Sequence, residues 1–299
     1  MSDWPAITEP GLLERMALSL EEFKQWVVGM TEQLPARPYG PDALAFAVGY
    51  PWSRPERSYL ITGSRVELLH DLPDEARAAV LARCVTHGDA SDRIPLLAFG
   101  SNAAPSALER KFAHFSDEND RTVVVIAGHL HEFDVGVAAQ PTIYGSLPAT
   151  LFSSPGTAVR AAVLWVTSAQ FTQLAWSEIS YHLGRLETRF EADEPEHSVD
   201  GVLAFASRFD VFSPEGRPVA LAAIPATGRT APAMTQEELL DAAAALALGP
   251  EATAADLVRA VHEDMAGVAP RLAAAVHPAA TPFRSERWSR FRVPAAPGG

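Results

Sequence analysis

The apolar positions of this chain change their period along its length, and the changes mark three zones. From Glu9 to Met30, Leu12, Leu13, Met16, Leu20, Phe23 and Val27 fall on one helix face. Pro35, Pro38, Gly40 and Pro41 end that helix. A second helix is predicted from about Asp74 to Val85, with Pro73 near its start. The stretch from Gly88 to Asp92 reads as a connector, which closes an N-terminal helical zone of residues 1–93.

The second zone, residues 94–240, has the shorter apolar runs expected of strands. Leu96-Leu97-Ala98-Phe99 drives into Gly100-Ser101-Asn102, and Pro105 to Phe112 has helical character, so the segment reads as strand, tight turn and helix start. Thr122 to Ile126 is a strong β run, and Glu132 to Val137 alternates as a half-exposed strand does. Ala149 to Gly156 reads as a short strand ending in a Pro-Gly turn, and Ala161 to Val166 as a fully buried strand. Thr167 or Ser168 then caps a helix with Phe171, Leu174 and Ile179 on one face and Glu178 at its end, beside Trp176. Val202–Phe205, Phe209–Phe212 and Val219–Ile224 are further strands, the last two joined by a hairpin turn at Ser213–Gly216. Many strands with few crossover helices predict an α+β fold: a small mixed or largely antiparallel β-barrel with helices packed outside.

The third zone, residues 241–299, is Ala-rich and helical. Its lead-in at Thr235-Gln236-Glu237-Glu238 resembles a capping box. The tail from Arg284 to Arg292 is basic and aromatic, a composition that suits either an acidic partner or docking on the chain's own acidic body. Twenty-two Arg stand against two Lys, which reads as genome composition.

Composition narrows the function classes. The 299 residues are 47% hydrophobic and carry a formal charge of −13, enough apolar content for a core and the wrong sign for nucleic-acid backbone or an anionic membrane surface. One cysteine, Cys84, allows neither an intrachain disulfide nor a thiolate metal site, and its helical setting reads as a small buried apolar group, with His87 its nearest histidine. The first residues lack a basic region followed by an apolar stretch, and no run reaches the length of a membrane span, so a cytoplasmic location is expected.

Several residues carry candidate chemistry. A Gly-Ser-Asn turn points backbone N–H groups and two small polar side chains into one concavity, which suits carboxylates, phosphates or a developing oxyanion; it is also an ordinary turn composition. Glu178 suits general acid/base work if it faces a cavity, and is otherwise a solvated helix-end carboxylate. His129 and His131 share a strand face at a spacing that can ligate a metal, with no evident third ligand. Tyr181 and His182 line the same pocket if the helix before them continues, and Tyr144-Gly145-Ser146 can form a turn at its rim. No Gly-x-Ser-x-Gly elbow, Walker loop or Rossmann glycine pattern is present.

Taken in order, Phe99-Gly100-Ser101-Asn102, then Ala149 to Gly156, a strand, and a helix ending in Glu178 resemble the gamma-glutamylcyclotransferase family over about residues 95–240. In that family a Tyr-Gly-Ser-Asn turn follows the first strand, a Ser-Pro-Gly turn precedes a Val-rich strand, and a Glu about twenty residues later transfers the proton. The resemblance implies a small mixed barrel flanked by helices, and a cofactor-independent, metal-free enzyme. Its substrate is a small γ-glutamyl amide, cleaved by attack of its own α-amine to release 5-oxoproline and a free amine. Glu178 takes the place of the catalytic acid/base. Phe99, Gly100, Ser101, Asn102 and Tyr181 take the substrate-binding places, with Phe99 lacking the hydroxyl of the family's frequent Tyr. His129 stands where the family often has Arg. The stretch from Ser180 to Gly201 does not follow the family pattern, so the leaving amine is not specified. A lyase or acyl-transfer relative acting on another amide, and a non-catalytic binding module, are the alternative readings.

Overall fold

The computed structural model describes residues 4–5, 7–31, 37–85 and 93–293. Helices α1 (Pro10–Ala17), α2 (Leu20–Thr31) and α3 (Pro41–Val48) precede a hairpin of β1 (Tyr59–Thr62) and β2 (Arg65–Leu68), then α4 (Asp74–Cys84). The central part holds β3 (Arg93–Ala98), α5 (Pro105–Phe112), β4 (Thr122–Val137), β5 (Ala149–Thr167), α6 (Ser168–Ser177), β6 (Tyr181–Ala192) and β7 (Val199–Ser207). Helices α7 (Gln236–Leu248), α8 (Ala254–Glu263) and α9 (Met265–Val276) follow.

Five strands close on themselves. The path β5-β3-β7-β6-β4 returns to β5 through a long antiparallel β4–β5 ladder, and β3–β7 is its one parallel pair. The expected α+β fold, a small mixed β-barrel with helices outside, is therefore present. β1 and β6 take successive lengths of one β4 edge, at Thr122–Val125 and Gly128–Leu130.

The continuous apolar runs are explained by burial of both faces. Val124, Ile126, Val163 and Trp165 point into one core, shared with α7, α8 and α9. Their neighbours Val123, Val125, Leu164 and Val166 point the other way, under α1, α5 and α6. The run from Ala161 to Val166 is thus a buried strand as read, and Cys84 is fully buried beside it in the first core.

Local chemistry places most of the boundaries. Thr167 caps α6 in a capping box with Gln170, and Thr235 does the same for α7 with Glu238, each cap worth about 1 kcal/mol. The single helix expected from Glu9 to Met30 is two helices. Ser19 forms a capping box with Glu22 that starts α2, and the Arg208 guanidinium donates to the carbonyls of Arg15, Met16 and Leu18 at the end of α1. The connector expected at Gly88–Asp92, and His87, lie outside the described residues.

Three strand expectations are corrected. Pro155-Gly156 does not end a strand: β5 runs through it, with Gly156 at φ +77°, and the chain bulges where His131 pairs Ala158 and Phe133 pairs Ser153. Glu132–Val137 is not half-exposed: Asp134 is fully buried, because Arg229 reaches its two oxygens at 2.7 and 2.8 Å. The Ser213–Gly216 turn forms, but its flanks do not pair with each other. Val211–Phe212 pairs instead with Ala280–Thr281, and Ala220–Leu221 with Ala233–Met234.

The basic tail docks on the chain itself. Trp288–Arg290 adds antiparallel to β6, and the Trp288 ring lies on Gly184, where a Cβ would have no room. Among the described residues no helix is long and apolar enough to cross a membrane.

Candidate active site

The turn after β3 and the end of α6 meet. Leu97 and Phe99 anchor β3 in the inner core, and Ser101–Ala103 form a single 3-10 turn before α5. Gly100 sits at φ −103° and ψ −141°, so the turn does not need glycine for a left-handed backbone. It needs glycine for space: a Cβ there would lie 2.6 Å from the Tyr50 hydroxyl and 3.0 Å from the Ala149 methyl.

Glu178 is the C-cap of α6, its N–H bonded to the Leu174 carbonyl. Its carboxylate is not an isolated helix-end group. Lys111, in the last turn of α5, places Nζ 3.0 Å from Oε1, and Asn102 donates Nδ2 to the same oxygen at 3.1 Å. The triangle closes because Lys111 also donates to Asn102 Oδ1 at 2.6 Å. Both charged side chains are largely buried, with 17% of Lys111 and 13% of Glu178 exposed. Both contacts to the carboxylate use Oε1, and among the described residues Oε2 accepts no hydrogen bond.

Two tyrosines bracket the opposite wall. Tyr50 Oη accepts the Ala149 N–H at 2.8 Å, and Tyr181 Oη donates to the Ala149 carbonyl at 2.8 Å. Burial pushes the Tyr50 hydroxyl up to about 12, with the Glu178 carboxylate adding to the shift. Burial, then Tyr50 and Glu178, raise Tyr181 as well, so both hydroxyls stay protonated at neutral pH. Phe99, Gly100, Ser101, Asn102, Glu178 and Tyr181, singled out from the sequence, all border one cavity together with Tyr50. It measures about 30 Å³, room for about two waters.

The other candidates fall elsewhere. The helix stops at Ser177, so Tyr181 reaches the cavity from the first position of β6, and the adjacent His182 faces away, toward Arg208 and Arg290. Tyr144 packs its ring edge-on against Phe46, away from this cavity. His131 pairs with Glu191 at 2.9 Å, whereas His129 lines a separate cavity. Among the described residues no cluster of three or more His, Cys, Asp or Glu is placed to hold a metal.

Lys111 and Tyr50 were not found by sequence reasoning. Lys111 did leave a signal: it is one of two lysines in a chain that otherwise uses arginine, and it lies on the helix that follows the turn. Tyr50 left none, because its role depends on a hydrogen bond to a residue 99 positions away.

No family model matches the chain, and no curated protein matches it. Among solved structures, a "Gamma-glutamyl cyclotransferase" is similar over 38% of this chain and 66% of that one, at 16% identity and a TM-score of 0.31. The chain thus spans just under two thirds of that structure's length, and a likeness this distant carries no argument about activity or residue roles.

Proposed function

We propose that this barrel is a gamma-glutamylcyclotransferase-like enzyme that cleaves a γ-glutamyl amide. The observation that carries the reading is the Glu178 carboxylate fixed through Oε1 above the Gly100–Asn102 turn, with Oε2 free of donors among the described residues. In this mechanism the turn binds the α-amino acid end of the substrate through its backbone N–H groups. Glu178 Oε2 takes a proton from the α-ammonium. The freed amine nitrogen attacks its own γ-carbonyl carbon, and backbone N–H donors hold the oxyanion that forms. The C–N bond to the departing amine breaks as Glu178 returns the proton to that nitrogen, and the second proton lost by the attacking nitrogen as the lactam forms also passes to the departing amine, which leaves as its ammonium. The products are 5-oxoproline and a free amine. Because attack is intramolecular, holding the amine near the carbonyl supplies much of the rate. Tyr50 and Tyr181 keep the Ala149 wall in place, and Lys111 and Asn102 orient the carboxylate.

The test is 5-oxoproline release from a panel of γ-glutamyl amines, γ-glutamyl dipeptides and glutathione. Product from any member, with the matching amine, supports the reading and begins to name the leaving group. No product from the whole panel overturns it. A second reading, a non-catalytic binding module, is favoured by one observation: a 30 Å³ cavity admits a γ-glutamyl group only if the turn or Lys111 moves aside. Saturable binding of a γ-glutamyl ligand without turnover distinguishes it.

A further inference from the structure

A much larger cavity lies on the other side of the Phe99–Ala103 turn. It measures about 650 Å³, within the usual range for small-molecule sites, and is walled by the 49–57 segment, β4, β5 and Ala103. Trp52 gives it aromatic surface, and the buried Tyr59 ring closes the wall. Three guanidiniums, Arg54, Arg57 and Arg160, line it against two carboxylates, Glu56 and Asp193.

Those charges are not evenly paired. Asp193 is taken by Arg160 in a bidentate pair, with both contacts at 2.6 Å. Arg160 also donates to the Glu56 carbonyl. Among the described residues Arg54 pairs with no carboxylate. Its Nη1 donates to the Phe99 carbonyl at 3.1 Å, while Nη2 is buried and has no hydrogen-bond partner among the described residues. Burial lowers the Arg54 guanidinium from its ordinary value, and the next cause is the like charge of Arg160. A buried, uncompensated cation is costly, and a chain with 37 acidic residues against 24 basic ones had ample means to neutralise it. The missing counter-charge is therefore one that arrives from outside.

We propose that this cavity binds a small organic anion, bearing a carboxylate or a phosphate, whose oxyanion is held at the wall that carries the Arg54 and Arg57 guanidiniums and whose body rests on Trp52. The site is independent of Glu178 and of the reaction proposed for it. Its link to that region is Arg54 itself, which holds the carbonyl immediately before Gly100.

Isothermal titration of the full chain with glutarate and with inorganic phosphate tests this. The expected result is saturable binding of at least one probe, with the one that binds identifying carboxylate or phosphate as the group recognised. Binding should weaken at least tenfold in Arg54→Gln. Because Arg54 also supports the turn, Ala223→Glu serves as the second variant: Ala223 is exposed at the cavity, and a carboxylate there should repel the anion by a similar factor without disturbing the core. Binding should persist in Glu178→Gln. No saturable binding of either probe overturns the proposal. So does binding that Ala223→Glu leaves unchanged, or binding that disappears in Glu178→Gln.

Discussion

The two sides of the Phe99–Ala103 turn manage charge in opposite ways. On one side, Glu178 meets its cation within the protein, and the Lys111–Asn102–Glu178 triangle fills the space around it down to about 30 Å³. On the other, Arg54 lines about 650 Å³ and keeps a buried donor with no partner among the described residues. The difference teaches that cavity size and readiness for chemistry are separate properties. The small side holds a carboxylate fixed by two partners, the arrangement that the proposed proton transfer would use. The large side holds a fixed charge that lacks a counterpart, as recognition of an anion requires.

The comparison breaks first at the turn both cavities share. Gly100→Val would drive a branched side chain into Tyr50 Oη and the Ala149 methyl, and overpacking of this kind costs about 1–3 kcal/mol. The expected outcome is a lower denaturation midpoint and loss of any ligand binding at the Glu178 cavity. Unchanged stability would remove close approach as the reason for glycine here.

Lys111→Met sharpens the small side. It leaves a largely buried carboxylate with Asn102 alone, at an expected cost of about 1–2 kcal/mol. Urea unfolding measures it, and a neutral result would mean that the triangle contributes no net stability. Thr167→Ala, remote from both cavities, should cost about 1 kcal/mol by uncapping the helix that carries Glu178. A larger loss of 5-oxoproline release than of stability would show that the cap sets the carboxylate's position.

A pH dependence is expected outside both cavities. Burial, then Arg290 and Arg208, hold His182 down at about 3, against an ordinary value near 6.5. The unfolded chain therefore binds a proton that the folded chain refuses between those values. His182 contributes no penalty above pH 6.5, and stability falls as pH drops from about 6.5 toward 3. Thermal melts at pH 7 and pH 4.5 should differ less in His182→Gln than in the wild type. An equal difference in both would contradict the assignment.

Much of the barrel was legible because its strands are buried on both faces, so Val123–Ile126 and Ala161–Val166 read as unbroken apolar runs. The caps at Thr167 and Thr235 were legible because one residue type at one spacing does the work. The Ser19–Glu22 box had the same signature inside an uninterrupted apolar periodicity, and the periodicity masked it. Pairing was less legible. Nothing local says that Val211–Phe212 will choose Ala280–Thr281 over its neighbour across a well-formed turn. The candidate site divides in the same way. Residues 99–102 and Glu178 lie at the ends of readable elements, whereas Tyr50 and Arg54 reach them from a segment whose sequence advertises neither cavity.

The account rests most heavily on Glu178, and the direct measurement is 5-oxoproline release by wild type and Glu178→Gln side by side, with thermal melts of both. The account predicts release from at least one γ-glutamyl substrate, falling at least a hundredfold in Glu178→Gln, far beyond what the modest drop in melting temperature from leaving Lys111 without its carboxylate accounts for. Release that survives the substitution would contradict it.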